Sequence, residues 1–146
     1  MTSSFRFLEN IALADSAFEA RGNSPSELFT ASATAVIETL ADPRTVAPAV
    51  TKTVARHDPS LATLLFDWLS DIVYLKDAEG LVFREAVCEV SRDEPDGGWR
   101  LKGTLTGAPI DPARHDLRAD IKAVTKHRYE VRRDKDAWVA TVVMDI

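Results

Sequence analysis

The chain has 146 residues, 45% hydrophobic and 28% charged, which fits one globular domain over residues 1–146 and excludes a disordered chain. No apolar run approaches the roughly 18 residues of a membrane span, Met1–Arg6 does not read as the start of a signal peptide, and the single cysteine, Cys88, excludes an internal disulfide and a multi-cysteine zinc site; a cytoplasmic protein is expected. With 18 Lys and Arg against 23 Asp and Glu the net charge is −5, so neither direct nucleic-acid binding nor a membrane partner is expected.

In chain order, Phe5 to Leu8 and Ser16 to Ala20 read as weak strands. Ser24-Pro25-Ser26-Glu27 opens a helix: Ser24 caps it, Pro25 takes the first position, where its missing N–H costs nothing, and Glu27 completes a capping box. Phe29, Ala33, Val36, Ile37 and Leu40 then recur at helical spacing, and Pro43 ends the segment. Val50 to Val54 is a third weak strand. A second helix is expected with Asp58 as cap and Pro59 as first residue. Its stripe of Leu61, Leu64, Leu65, Trp68, Leu69, Ile72 and Leu75 places it at the centre of the core, and Gly80 follows its end.

The remainder reads as strand. Val87 to Val90 precedes a turn at Glu94-Pro95-Asp96-Gly97-Gly98, and Trp99, Leu101, Gly103 and Leu105 then alternate. Leu117, Ala119, Ile121 and Ala123 alternate in the same way. A turn at Arg133-Asp134-Lys135-Asp136 leads to Trp138, Ala140, Val142 and Met144. Short turns favour antiparallel neighbours. The expected fold class is α+β: one mixed, mostly antiparallel sheet with two helices packed on it.

Most catalytic signatures are absent. There is no G-x-x-x-x-G-K-[ST] and no G-x-G-x-x-G loop to cradle phosphate. His57, His115 and His127 have no partner at helical spacing and read as surface or capping residues. Cys88 lies in an apolar strand pattern with no neighbouring base, which suits a buried thiol and not a nucleophile. Trp68, Trp99 and Trp138 fall on apolar faces as core residues. Arg128, Arg132 and Arg133 are close in sequence but read as a solvated strand edge.

Two carboxylates stand out by position. Asp15 interrupts the apolar run Ile11-Ala12-Leu13-Ala14. Asp145 follows Val142-Val143-Met144 and precedes the α-carboxylate of Ile146. Brought together, these three groups would repel unless a cation neutralised them. All-oxygen donors select calcium, magnesium or manganese. Spacing alone does not bring residues 15 and 145 together, and without more Asp15 starts a turn and Asp145 is a solvated chain end.

The ordered pattern resembles the archease family over nearly the whole chain. Phe7-Leu8-Glu9 with Ala14-Asp15 is similar to the family's N-terminal H-T-A-D segment. Ser26-Glu27-Leu28-Phe29 resembles its first helix entry, and Trp68-Leu69 with Tyr74-Leu75 its W-L…L-Y-L helix. Glu79-Gly80-Leu81-Val82-Phe83 resembles the loop and strand that follow. Gly107 with Asp111-Pro112-Ala113-Arg114-His115 matches G-x-x-x-D-P-x-R-H, and Ile121-Lys122-Ala123-Val124-Thr125 with His127 matches K-A-V-T-x-H. The chain ends in Asp145-Ile146, as family members do. Ala12 and Leu13 stand where the family has His-Thr, and Lys126 where an aromatic is common.

The resemblance implies an α+β accessory protein without catalysis of its own, assisting an RtcB-type RNA ligase in tRNA splicing and RNA repair. It would promote guanylylation of the ligase and multiple turnover. By the same resemblance Asp15, Asp145 and Ile146 are metal ligands for a divalent ion, and Lys122 and His127 are further functional residues. The other readings are a chaperone-like module acting on another RNA-modifying enzyme, such as a tRNA methyltransferase, and a small metal-dependent hydrolase. The hydrolase is the weakest, because no histidine offers a clear general base.

Overall fold

The computed structural model describes residues 3–9, 15–93 and 97–146. In chain order the elements are β1 (Ser4–Leu8), β2 (Asp15–Gly22), α1 (Pro25–Leu40), a 3-10 turn (Pro43–Thr45), β3 (Val50–Asp58), α2 (Leu61–Glu79), β4 (Leu81–Asp93), β5 (Gly98–Pro109), β6 (Ala123–Asp134) and β7 (Ala137–Asp145). The α+β class, the antiparallel pairing and both helices are as the sequence predicts. The strands divide, however, between two sheets: a four-stranded one in the order β1-β2-β7-β6 and a three-stranded one in the order β3-β5-β4. Among the described residues no helix is long and apolar enough to cross a membrane.

The helices lie between the sheets. α1 meets β4 on one side and β2 and β7 on the other, while α2 reaches β6 of one sheet and β3 and β5 of the other. This explains why α1 is buried nearly all round, with the small residues Ala31, Ala33 and Ala35 admitting close neighbours. The predicted α2 stripe, Leu61 to Leu75, is buried throughout. Each fully buried leucine in it contributes roughly 1.5–3 kcal/mol. Trp68 is fully buried, and its Nε1 donates to the Phe29 carbonyl at 3.3 Å. Gly103 makes room for the indole: a Cβ there would sit 2.6 Å from Trp68 ring carbons.

The helix starts follow the capping rules with two changes. The Ser24 side chain accepts from the Glu27 N–H at 3.1 Å. The Glu27 carboxylate returns to the N–H of Asn23 (2.8 Å), one residue before the cap. α2 begins at Leu61 with Ser60, not Asp58, as its cap; Ser60 Oγ accepts from Thr63 N–H. Asp58 ends β3 and accepts from the Ser60 N–H at 2.8 Å, tightening the turn into the helix. Gly80 closes α2 with φ +64°, a left-handed conformation suited to glycine.

The alternation from Leu117 to Ala123 is not one strand: only its last residue, Ala123, joins a strand, as the start of β6. The segment runs past the end of α1, and its backbone satisfies that helix's last carbonyls: Arg118 N–H donates to Leu40 and Ala119 N–H to Thr39. Leu117 forms only an isolated bridge with Ala41 and is 41% exposed. Asp42 secures the same junction. Its N–H donates to the Asp116 carbonyl, and the Arg44 guanidinium holds its carboxyl down at about 2. The other strands are longer than expected at their ends: β3 runs on to Asp58 and β2 to Gly22. Part of the Glu94–Gly98 turn lies outside the described residues.

Candidate functional site

β2 and β7 are antiparallel neighbours, and their register places Asp15 directly opposite Asp145. Directly opposed residues in an antiparallel pair point to the same face, with Cβ atoms about 4.5–5.5 Å apart. The position at which sequence spacing is silent is therefore decided by pairing between strands at opposite ends of the chain. The next position, Ile146, packs its side chain against the core. This alternation leaves Asp145 on the outer face of the four-stranded sheet. Both aspartates are partly buried.

The rest of that outer face shows what is unusual about the pair. Val139 and Val143 of β7 and Ala17 of β2 share it, yet are essentially buried. They lie beneath a charged ladder in which Glu19 is flanked by Arg6 (3.3 Å) and Arg132 (4.0 Å), and Arg132 also holds Glu130 at 2.9 Å. The Glu19 carboxylate is neutralised twice. Four residues along β2, Asp15 and Asp145 face one another, and among the described residues neither forms an ion pair with Lys, Arg or His. Like charges placed directly opposite across strands are destabilising, so the local demand is for a cation, which no ion pair among the described residues supplies to either carboxylate.

The donor set fits a hard divalent ion. Two aspartates on one face offer carboxylate oxygens, and the α-carboxylate of Ile146 is the adjacent third group. Among the described residues no three His, Cys, Asp or Glu side chains form a metal-holding group, so the two aspartates would need oxygens from outside that set, such as this main-chain carboxylate, backbone carbonyls or water.

Lys122 precedes β6 at the same end. Its backbone N–H donates to the Asp145 carbonyl at 2.7 Å, extending the β6–β7 ladder by one bond. Ala123 is the register partner of Asp145. Of the neighbours of Lys122 in the expected alternation, Ile121 is buried and Ala123 is exposed. The Lys122 side chain is exposed and lines a shallow groove with Tyr74 and Asp77 of α2. It makes no ion pair with Asp15 or Asp145. His127 is exposed in a β6 bulge that interrupts the register between Thr125 and Glu130, and it does not join the two aspartates in a metal-holding group. Ala12 and Leu13 lie outside the described residues.

Lys76 is a supporting residue that the pattern reading missed. It is buried on α2 beside Ile72 and Leu75. Its Nζ reaches Asp120 at 2.5 Å, Asp77 at 2.6 Å and the Ile121 carbonyl at 2.8 Å. The ammonium thus pins the two residues before Lys122 and sets where β6 begins. A lysine inside an apolar helical stripe is the signal that could have marked it.

The remaining candidates are structural. Burial pushes the Cys88 thiol up to about 12, which makes it inert. His115 is buried, and its Nδ1 accepts from the Asp111 N–H at 3.1 Å, closing the Asp111–His115 turn. His57 pairs with Asp93 at 2.6 Å. Trp99 and Trp138 are partly buried at the edge of the core, stacked edge to face at 6.3 Å.

The family model described as the Archease protein family (MTH1598/TM1083) matches residues 5–146. Protein archease of Methanopyrus kandleri is 33% identical over 134 residues, covering 91% of this chain and 94% of that one. Protein archease of Methanosarcina acetivorans is 34% identical over 142 residues, covering 97% and 95%. The solution structure of Methanobacterium thermoautotrophicum protein 1598 superposes with a TM-score of 0.80 at 30% identity, covering 97% of this chain and 98% of that one. The crystal structure of an archease from Thermotoga maritima, described as a possible chaperone, shares the fold with a TM-score of 0.59 at 22% identity, covering 97% and 98%.

Proposed function

The chain belongs to the archease family, and on that premise we propose that it is a non-catalytic activator of an RtcB-type RNA ligase in tRNA splicing and RNA repair. It promotes guanylylation of the ligase and lets each ligase molecule turn over repeatedly. The observation that carries this reading is the cross-strand pair Asp15–Asp145, two carboxylates on one face that, among the described residues, form no ion pair with Lys, Arg or His.

In this reading Asp15, Asp145 and the α-carboxylate of Ile146 form an acidic tip that takes a divalent ion such as calcium, magnesium or manganese. Once bound, such an ion supplies charge neutralisation and orientation for nucleotide phosphates. The tip is carried at the ends of paired strands, a rigid mounting that holds its oxygens in place. A site that must accept a triphosphate is electropositive, so an acidic tip on a chain of net charge −5 is drawn to it, which accelerates encounter. Lys122 is fixed through its backbone one ladder bond from Asp145, but its side chain turns into the groove with Tyr74 and Asp77 of α2, so in this reading it acts beside the tip and not as part of it.

The test is a turnover assay with limiting ligase, broken RNA, GTP and manganese, with and without this protein. The proposal expects conversion from single to multiple turnover, lost in Asp15→Ala and Asp145→Ala. No stimulation of a ligase from the same source would overturn it.

A further inference from the structure

The Lys and Arg side chains are distributed unevenly between paired and unpaired states. Most are matched to a carboxylate at ion-pair distance, including those on the open edges β1 (Arg6 to Glu19) and β3 (Lys52 to Glu79, Arg56 to Asp71). Eight have no carboxylate at that distance among the described residues. Three of these, Arg84, Arg92 and Lys102, belong to the second sheet. The other five, Lys122, Lys126, Arg128, Arg133 and Lys135, follow β6 from its start to the turn after it.

β6 is an edge strand, pairing only with β7. Residues 122–136 hold six Lys or Arg and three acids, Glu130, Asp134 and Asp136, in a chain of net charge −5. Blunting an edge against aggregation needs only charge; β1 and β3 achieve it with neutralised pairs, and β4, the other edge of the second sheet, carries two unpaired arginines, Arg84 and Arg92, the latter over Trp99 at 4.5 Å, against the five cations along β6. The β6 cations are instead held ready. Lys126 sits over the Phe66 ring at 4.0 Å and Arg133 over Trp138 at 4.6 Å, contacts that orient a cation without consuming its charge. Arg128 is held at φ +55° within the bulge, an uncommon conformation for arginine.

We propose that the β6 edge is a nucleic-acid surface that binds the phosphate backbone of single-stranded RNA. A protein partner needs an apolar anchor at the centre of its interface; of the exposed large hydrophobics Phe7, Tyr74, Val87, Ile110 and Leu117 none lies on β6, and Tyr74 of α2 flanks the row at its Lys122 end and not at its centre. A polyphosphate needs only a row of unneutralised cations. The row starts at Lys122, beside Asp145, so an RNA lying on it leads to the acidic tip. The cation row stands on charge alone, whereas the choice of RNA as the polyanion rests on the ligase reading.

The test is fluorescence anisotropy of the protein alone with a labelled single-stranded RNA of about 20 nucleotides, long enough to span the strand. Five phosphate contacts predict a log–log salt slope near −3.5, an affinity loss of about 100-fold between 50 and 200 mM salt. Lys126→Glu/Arg128→Glu/Arg133→Glu should weaken binding at least about tenfold and flatten the slope. The Lys126→Gln/Arg128→Gln/Arg133→Gln version serves if the reversal unfolds the chain. Arg84→Glu/Lys102→Glu should change little. The assignment fails with no binding at 50 mM salt, with unchanged binding by the folded triple variant, or with equal loss in the second-sheet control. Capture of poly-glutamate but not RNA would overturn it in favour of an acidic protein surface.

Discussion

Asp15 and Asp145 stand directly opposite each other on adjacent antiparallel strands, although 129 positions separate them in sequence. The arrangement costs stability when the two carboxylates are left alone together. Opposed like charges on a sheet face are unfavourable by an amount comparable to the roughly 0.2–1 kcal/mol of a favourable pair. The proposed function accounts for a pair maintained at that cost by the cation it would take.

Asp145→Asn should therefore leave the metal-free protein as stable as the parent, or slightly more so, while removing its response to metal. Thermal melts with and without manganese read both effects. A ligand at one hundred times its dissociation constant adds about 2.7 kcal/mol, so the parent should gain several degrees and the variant none. A lower melting temperature without metal, with the manganese shift retained, would make Asp145 a structural residue.

The helices and most strands were legible because their signals are local: capping residues, a 3.6-residue period on α2, alternation on β5 and β7. The division into two sheets was not, because it depends on which edges meet across the helical layer, and no short window contains both. The false strand at Leu117–Ala123 shows the limit of alternation. Ile121 is buried by the Lys76 pin and Ala119 is tied to the Thr39 carbonyl, so a loop reproduces a period of two for unrelated reasons. At the site, the residue types were readable but their meeting was not. The register that opposes Asp15 to Asp145 is set by buried alternation along both strands, Phe18 and Ala20 against Val142 and Ala140. A slip of one residue would turn all four outward.

Extending the chain beyond Ile146 should weaken metal binding and ligase activation, because the α-carboxylate becomes a peptide carbonyl and the tip loses a negative donor. An N-terminal tag should not. Isothermal titration with manganese and the turnover assay, run on proteins carrying the same tag at either end, compare the two directly. Equal affinities and equal stimulation would remove Ile146 from the ligand set.

At the acid side, Asp42 gives a signed pH dependence. Its carboxyl is held at about 2 chiefly by hydrogen bonds from Arg44, below the ~3.9 of an unfolded aspartate. The stabilisation is complete above the unfolded value and is lost as pH falls through about 2. Asp42→Asn should flatten the acid limb of a stability-against-pH curve while changing little of its shape at neutral pH. An acid limb with unchanged slope in the variant would show that other carboxylates carry it.

Lys76 provides the matching test at the alkaline side and connects stability to the tip. Burial alone would lower its pKa, but Asp120 and Asp77 outweigh that and raise it. A raised lysine contributes stability that is complete below the unfolded value, ~10.4, and is lost as pH climbs through the higher folded value. Lys76→Met keeps the apolar stem and removes the ammonium. It should flatten the alkaline limb, and it should cost about 1.5–3 kcal/mol at neutral pH through the lost charged bond to the Ile121 carbonyl. Because that bond fixes the residues just before Lys122, hydrogen exchange at Lys122 N–H, the donor to Asp145, should quicken in the variant while exchange in the α1 core stays slow. Uniformly faster exchange would mean that Lys76 supports the whole fold; unchanged exchange at Lys122 would mean that the β6–β7 ladder holds the tip without it.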